Sequence, residues 1–113
     1  MRKTDKKTEN QLRVILTDIC NHALETYTGF QWLTHRVNYA DFPNSLRIIC
    51  VFDTNENRST FLAEDGKTVL DARISQKLNS AGIRLKKPAS QIHYDTEEDC
   101  ARENNGQWGE RLR

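Results

Sequence analysis

Apolar residues in the first third of the chain recur at the spacing of one helix face. They fall at intervals of three and four residues, which is typical of an amphipathic helix with one buried side. These positions are Leu12, Ile15, Leu16, Ile19, Cys20, Ala23, Leu24 and Tyr27. Thr8 is the expected N-cap and Gly29 the expected C-terminal stop of this helix. Residues 1–7, which are polar and mostly basic, are predicted to form a flexible basic arm.

The longest run of strand-forming residues lies near the middle of the chain, from Leu46 to Asp53. Because the run is apolar at both odd and even positions, we expect a central strand that is covered on both faces. One face carries Leu46, Ile48, Cys50 and Phe52, and the other carries Ile49 and Val51. A second strand is predicted from Trp32 to Tyr39, and the turn at residues 40–45 favours an antiparallel hairpin.

The remaining pattern predicts further helices and one more strand. They are a helix from Asn55 to Ala63, a helix from Thr68 to Ala81, a strand from Gln91 to Tyr94, and a short helix from the capping box at Thr96 through Glu103. The tail, about residues 105–113, contains Trp108 and Leu112 and is expected to fold back as a hydrophobic latch. Two helices between strands of one sheet favour a parallel, right-handed crossover. The sequence therefore predicts a single α+β domain over residues 8–113, in the order α-β-β-α-α-β-α, with a three-stranded mixed sheet packed against helices.

Length, cysteine content and hydropathy narrow the class of protein. A chain of 113 residues fits one domain. Cys20, Cys50 and Cys100 have no zinc-ligand spacing, and we expect three free thiols in a cytoplasmic protein. No apolar run approaches membrane-spanning length, and no cofactor or small-molecule substrate is indicated.

Charge is unevenly distributed along the chain, although the formal net charge is only +1. Between residues 67 and 87 the single acid Asp71 accompanies a set of basic residues. These are Lys67, Arg73, Lys77, Arg84, Lys86 and Lys87. Residues 95–103 are predominantly acidic. Such asymmetry indicates either a binding face for a charged partner or two solvated surfaces that offset one another.

Two carboxylates, Asp53 and Asp95, each follow a predicted strand. If those strands are parallel, both lie at the edge of the sheet where ligands often bind, and the pair has the chemistry to hold Mg²⁺. The alternative is that each carboxylate caps the helix after it. The histidines, His22, His35 and His93, lie on different elements, and no spacing indicates nucleophilic catalysis. No catalytic residue is therefore predicted.

Several phrases resemble a family of small proteobacterial proteins often called "Fis family transcriptional regulator". They are Met1–Lys7, Gly29–His35, Phe42–Leu46 and Cys50–Asp53, with a weaker likeness through Ala81–Leu85. That family name implies DNA binding through a C-terminal helix-turn-helix. Here the C-terminal third reads as a strand, an acidic helix and a tail, so no DNA-reading residue is assigned from the resemblance.

The predicted order of elements is also similar to type II KH modules, including bacterial ribosome-binding factor A. In KH modules a Gly-x-x-Gly loop between paired helices clamps the nucleic-acid backbone. The corresponding junction here is Glu64-Asp65-Gly66-Lys67, with one glycine and two acids. The resemblance implies an RNA-binding fold without the signature loop.

Three function hypotheses follow. The leading one is a non-catalytic module or regulator that binds RNA or a ribonucleoprotein through the six basic residues at positions 67–87. The alternative is a protein–protein adaptor that uses the acidic last helix and Trp108. The third is a small metal-dependent hydrolase built on Asp53 and Asp95.

Overall fold

Helices and strands follow one another in the expected order in the computed structural model, which describes residues 2–113. Helix α1 spans Lys3–Thr26, β1 Phe30–Arg36, β2 Arg47–Phe52, α2 Asn55–Ala63 and α3 Gly66–Ser80. Helix α4 spans Pro88–Gln91, β3 Ile92–Thr96, α5 Glu97–Asn104 and α6 Trp108–Arg111. The α+β class and the order α-β-β-α-α-β-α are confirmed, and the one-turn helices α4 and α6 are additions to it.

The sheet has three strands in the order β1-β2-β3. β1 pairs antiparallel with β2, and β2 pairs parallel with β3, so the predicted mixed sheet is confirmed. β2 is the central strand, and residues 48–52 are all buried. Both faces of this strand are covered, as its two-sided apolar pattern predicted.

The main core lies between one face of the sheet and the two long helices. Helix α1 contributes Leu12, Leu16, Ile19 and Ala23, α3 contributes Leu70, Ile74 and Leu78, and β2 contributes Ile48, Cys50 and Phe52. The helical residues recur every three or four positions, so each helix presents a continuous apolar stripe to the sheet. All three cysteines are free, with Cys50 and Cys100 buried and Cys20 half-buried.

The C-terminal tail returns to the opposite side of the sheet. The Trp108 and Trp32 rings meet edge to face with centroids 4.8 Å apart. Both indole N–H groups donate to Oε1 of Glu97, at 2.7 Å from Trp32 and 3.2 Å from Trp108. Trp32 is the register partner of the buried Val51, so the tail helps to cover the second face of the central strand.

Element boundaries differ from the sequence expectation mainly at the N-terminus. Of the expected arm, residues 3–7 form the first turns of α1, and Met1 lies outside the described residues. Thr8 is inside the helix, where its hydroxyl donates to the Thr4 carbonyl at 3.0 Å, so it is not an N-cap. Strand β1 ends at Arg36, before the predicted Tyr39, because the Asn38 side chain accepts the Ala40 N–H and starts a 3₁₀ turn.

Candidate nucleic-acid interface

Three of the six predicted basic residues lie on α3, but not on one face of it. Lys67 Nζ lies 2.9 Å from Asp71 Oδ2 and 5.2 Å from the ring centroid of Tyr94 on β3. Lys77 Nζ instead lies 2.7 Å from Asp18 Oδ2 on α1. Ten residues of helix place the two lysines about 15 Å apart along the axis of α3, and one contacts β3 while the other contacts α1. The structure therefore does not bring them together.

Arg73 lies on the same flank of α3 as Lys77, toward α1. Its Nε is buried and has no hydrogen-bond partner among the described residues. Burial raises the pKa of the Tyr27 hydroxyl, and the nearby charge of Arg73 opposes that rise. Arg73 and Lys77 are half-buried beside α1.

The other three predicted residues lie on the exposed segment that joins α3 to α4. Arg84 lies beside the last turns of α3, next to Gln76 and Asn79. Lys86 and Lys87 line a separate groove of about 270 Å³. No carboxylate in the part of the chain that the structure describes forms an ion pair with any of the three. The other residues of the groove are Asn44, Ser90 and Gln91.

Two further arginines, which no local sequence pattern indicates, lie at the end of the sheet where β2 begins. Arg36, the last residue of β1, is the register partner of Arg47, the first residue of β2. Both are exposed, and neither forms an ion pair within residues 2–113. β3 runs parallel to β2 and begins just after α4, so Lys86 and Lys87 approach the sheet at this end as well. We call Arg36, Arg47, Lys86 and Lys87 the basic cluster.

Gln91 fixes the backbone around the basic cluster. It is buried, with 6% of its surface exposed. Its Nε2 donates to the carbonyls of Pro43 and Leu46 at 3.0 Å each, and its Oε1 accepts the Lys87 N–H at 2.9 Å. These bonds join the turn before β2 to the segment that carries the lysines. The cluster therefore stands on a backbone held by a buried side chain.

The pKa of His93 is affected by the positive charges near this end of the sheet. It is the register partner of Ile49, one pleat along the same sheet face from Arg47. Partial burial and then the positive charges of Arg47 and Lys67 hold the pKa of His93 below its ordinary value. One exposed acid, Asp41, lies in the preceding 3₁₀ turn, where its Oδ1 accepts from Asn44 Nδ2 at 3.4 Å.

Acidic residues gather at the opposite, carboxyl end of β2 and β3. The first turn of α5 consists of Glu97, Glu98 and Asp99, and Thr96 caps it by accepting the Asp99 N–H at 3.0 Å. The side chain of Asp99 bonds Asn55, Arg58 and Arg102, and Glu97 accepts from both indoles. Trp108 packs on Trp32, and these acids bind partners within the chain. Most of the surface expected for an adaptor is therefore used in contacts inside the protein.

The carboxylates proposed as a metal pair have separate partners. Asp53 Oδ1 accepts from the Thr54 N–H at 2.6 Å and from Asn57 Nδ2 at 2.9 Å. Asp95 binds Arg111 through both of its oxygens. The helix caps are the following threonines, so the expectation that the aspartates cap the helices is wrong. Nowhere in residues 2–113 do three histidine, cysteine, aspartate or glutamate side chains form a group that could hold a metal ion.

The junction between α2 and α3 uses its glycine for packing. A Cβ atom at Gly66 would overlap the ring and the carbonyl of Phe61, which is buried in the core. Asp65, the residue before it, has a left-handed backbone with φ of 60°. The close approach of the two helices therefore accounts for this glycine.

Comparisons of the chain with models of protein families, with curated proteins and with solved structures found no match. The resemblances to the Fis-named family and to type II KH modules stay predictions. Between residues 2 and 113, no helix has both the length and the apolar character needed to cross a membrane.

Proposed function

We propose that this protein is a non-catalytic module that binds RNA, alone or in a ribonucleoprotein, through the basic cluster. The observation that carries this proposal is that Arg36, Arg47, Lys86 and Lys87, from three separate segments, all lie at the end of the sheet where β2 and β3 begin. All four are exposed and lack an ion-pair partner in the described chain. Directly opposite like charges weaken a strand pair, so packing gives no reason for Arg36 to stand beside Arg47. A polyanion would supply the missing counter-charge.

The shape of this surface favours RNA over duplex DNA. A helix that reads the major groove has to enter it. Helix α4, which lies beside the cluster, has only four residues, and its buried Gln91 bonds the turn before β2. The groove beside Lys86 and Lys87 has the side chains of Asn44 and Ser90 in its lining. Such a surface suits the phosphates and hydroxyls of a single-stranded or irregular RNA.

The experiment that tests this proposal measures binding of a fluorescein-labelled single-stranded RNA by anisotropy over a series of salt concentrations. We expect affinity to fall steeply with salt, because each neutralised phosphate releases counterions. Substituting Lys86→Gln together with Lys87→Gln should weaken binding about tenfold or more and reduce the salt slope by roughly 1–2.

The matched control removes the same amount of charge elsewhere. Arg73→Gln with Lys77→Gln lies outside the basic cluster, on the flank of α3 toward α1, and RNA affinity should stay within about twofold of wild type. Far-ultraviolet circular dichroism should show both double variants folded. Equal losses in the two double variants would mean that only net charge matters. The proposal also fails if the wild type shows no salt-sensitive binding at micromolar concentration.

A further inference from the structure

Strand β1 is an edge of the sheet, and two hydrogen bonds show which of its residues point outward. The Asp53 N–H donates to the Gly29 carbonyl at 2.8 Å, so the odd-numbered backbone groups along β2 are directed toward β1. The Leu46 carbonyl accepts from Gln91 at 3.0 Å, so the even-numbered groups are directed toward β3. Backbone direction alternates strictly along a strand.

Leu33 and His35 therefore carry the free backbone groups of β1. Their neighbours Trp32, Thr34 and Arg36 lie opposite the odd-numbered residues of β2 and use their N–H and C=O groups inside the sheet. The intervening Leu33 and His35 direct theirs away from it. Within the described chain, no backbone or side-chain group bonds these outward N–H and C=O groups.

A groove of about 320 Å³ lies between this edge and helix α1. Its apolar lining comes from Leu16, Cys20 and Leu33. Arg13 lies at the rim with 71% of its side chain exposed, and no acid lines the groove. Glu9, which lies 3.7 Å from Arg13, is also bonded to His35 at 2.9 Å and to the Tyr39 hydroxyl. The groove thus combines an apolar floor with a largely exposed arginine, which shares Glu9 with His35 and Tyr39.

The other edge of the sheet is less open. β3 has only five residues, and the outward carbonyl of Tyr94 already accepts from Arg58 Nη1 at 3.1 Å. Proteins commonly protect edge strands in this way, because unpaired backbone groups recruit other chains. β1 spans seven residues, and nothing in residues 2–113 covers its edge in a comparable way.

We propose that an extended peptide segment carrying a carboxylate binds here as a fourth strand beside β1. Alternate residues of the peptide pair with the free groups of Leu33 and His35, as in strand-addition complexes. An apolar peptide side chain packs on the groove floor at Leu16 and Cys20, and the carboxylate pairs with Arg13. This site is distinct from the basic cluster and does not depend on RNA binding.

A second copy of this chain fits the same edge poorly. Helix α1 packs on β1, so pairing β1 with the β1 of another copy would place two α1 helices over adjacent strands. Adjacent strands are about 4.8 Å apart. Packed helices need about 8–10 Å. The occupant is therefore a segment without a helix over it, which is the reason for choosing a peptide.

The first experiment titrates ¹⁵N-labelled protein with the capped peptide Thr-Val-Thr-Val-Glu-Val-Thr and follows amide shifts. We expect the largest changes at Leu33 and His35 and slower hydrogen exchange of both amides. A peptide with Lys in place of Glu should bind several-fold more weakly, and Arg13→Ala should remove that difference. Changes centred on β3, or no binding at millimolar peptide, would overturn the proposal. So would concentration-dependent self-association through β1.

The second experiment compares His35→Pro with His35→Ala. Both variants lose the imidazole that bonds Glu9, but only proline also removes the outward N–H. Proline is tolerated on an edge strand where its nitrogen faces solvent. Peptide affinity of His35→Ala should stay within about twofold of wild type, and that of His35→Pro should fall about fivefold or more. Equal peptide affinities of the two variants would overturn the proposed backbone pairing. If His35→Pro does not fold, the hydrogen-exchange data of the wild type and the peptide affinity of Arg13→Ala test the proposal instead.

Discussion

Arg111 binds Asp95 through two hydrogen bonds, from Nε to Oδ2 at 2.6 Å and from Nη2 to Oδ1 at 2.9 Å. Asp95 lies on β3 and Arg111 on α6, so this bidentate pair fastens the tail to the sheet. Each side chain is only 17% exposed, which limits screening by water. The same contact occupies the carboxylate that the sequence offered as a metal ligand.

Removing this pair should loosen the tail. We expect Arg111→Ala to lower the free energy of unfolding by about 1.5–3 kcal/mol, because Asp95 and Glu103 both lose charged hydrogen bonds. Arg111→Lys should recover only part of this, since lysine cannot bind both oxygens in the same geometry. Urea unfolding followed by tryptophan fluorescence measures both the stability and the separation of Trp108 from Trp32.

The control for the tail is Arg113→Ala, which breaks an exposed pair with Glu110. Such pairs contribute about 0–1 kcal/mol, so this variant should resemble wild type. If Arg111→Ala is as stable as Arg113→Ala, the tail is not fastened by Asp95.

Asp99 should make stability depend on pH in the acid range. The hydrogen bond from Asn55 holds the pKa of Asp99 below its usual 3.8; burial opposes this, and the charges of Arg102 and Arg58 add to the lowering. As pH falls, the carboxylate of Asp99 takes up its proton in the unfolded chain before it does so in the folded protein. The stabilisation from the ionised carboxylate is therefore complete above the usual pKa of 3.8. It is lost as pH drops through the lower folded value.

Replacing Asp99 by asparagine tests this linkage. Asp99→Asn should cost about 1.5–3 kcal/mol at neutral pH, because Arg58 and Arg102 lose a charged acceptor. Urea unfolding repeated from about pH 2 to 6 should show a shallower loss for the variant than for wild type. Parallel curves for the two proteins would show that Asp99 is not responsible.

Gly66 should resist substitution much more than Gly109. A Cβ at this position overlaps Phe61, so Gly66→Ala should cost about 1–3 kcal/mol through strain in the core. Gly109 lies in α6 with open space around its Cβ position, so Gly109→Ala is the matched control and should be neutral or slightly stabilising. Thermal unfolding compares the two, and similar midpoints would contradict the packing role of Gly66.

The fold was predictable where burial follows a local period. The stripe of Leu70, Ile74 and Leu78 predicts a helix with one buried face, and the two-sided apolar run of β2 predicts a strand that is covered on both faces. Both inferences rest on local sequence alone. The cap at Thr96 was also visible, since its hydroxyl meets the Asp99 N–H three residues later. These signals gave the order of elements and the central strand.

The composition of the candidate site was not predictable in the same way. Arg36 joins Lys86 and Lys87 only through strand register and the Gln91 bonds, which link distant segments. Clustering along the sequence instead selected Lys67 and Lys77, because it does not show that Lys67 contacts β3 whereas Lys77 contacts α1. Arg111 as the partner of Asp95 is likewise a tertiary contact without a local pattern.

His93 provides a test that connects the basic cluster with its proposed ligand. Partial burial, followed by the charges of Arg47 and Lys67, holds the pKa of His93 below its usual 6.5. In the free protein this lowered pKa means that stability falls as pH drops below about 6.5, because the unfolded chain then binds the proton more readily. Phosphates bound at Arg47 would cancel part of the positive potential.

We therefore expect the pKa of His93 to rise when RNA is added. The imidazole Cε1–H resonance, followed by NMR across the pH titration, measures the pKa directly in the presence and absence of the single-stranded RNA. The Lys86→Gln, Lys87→Gln double variant should show a smaller rise at the same RNA concentration, because less RNA is bound. An unchanged His93 titration in a complex that demonstrably forms would place the RNA away from Arg47 and contradict the proposed surface.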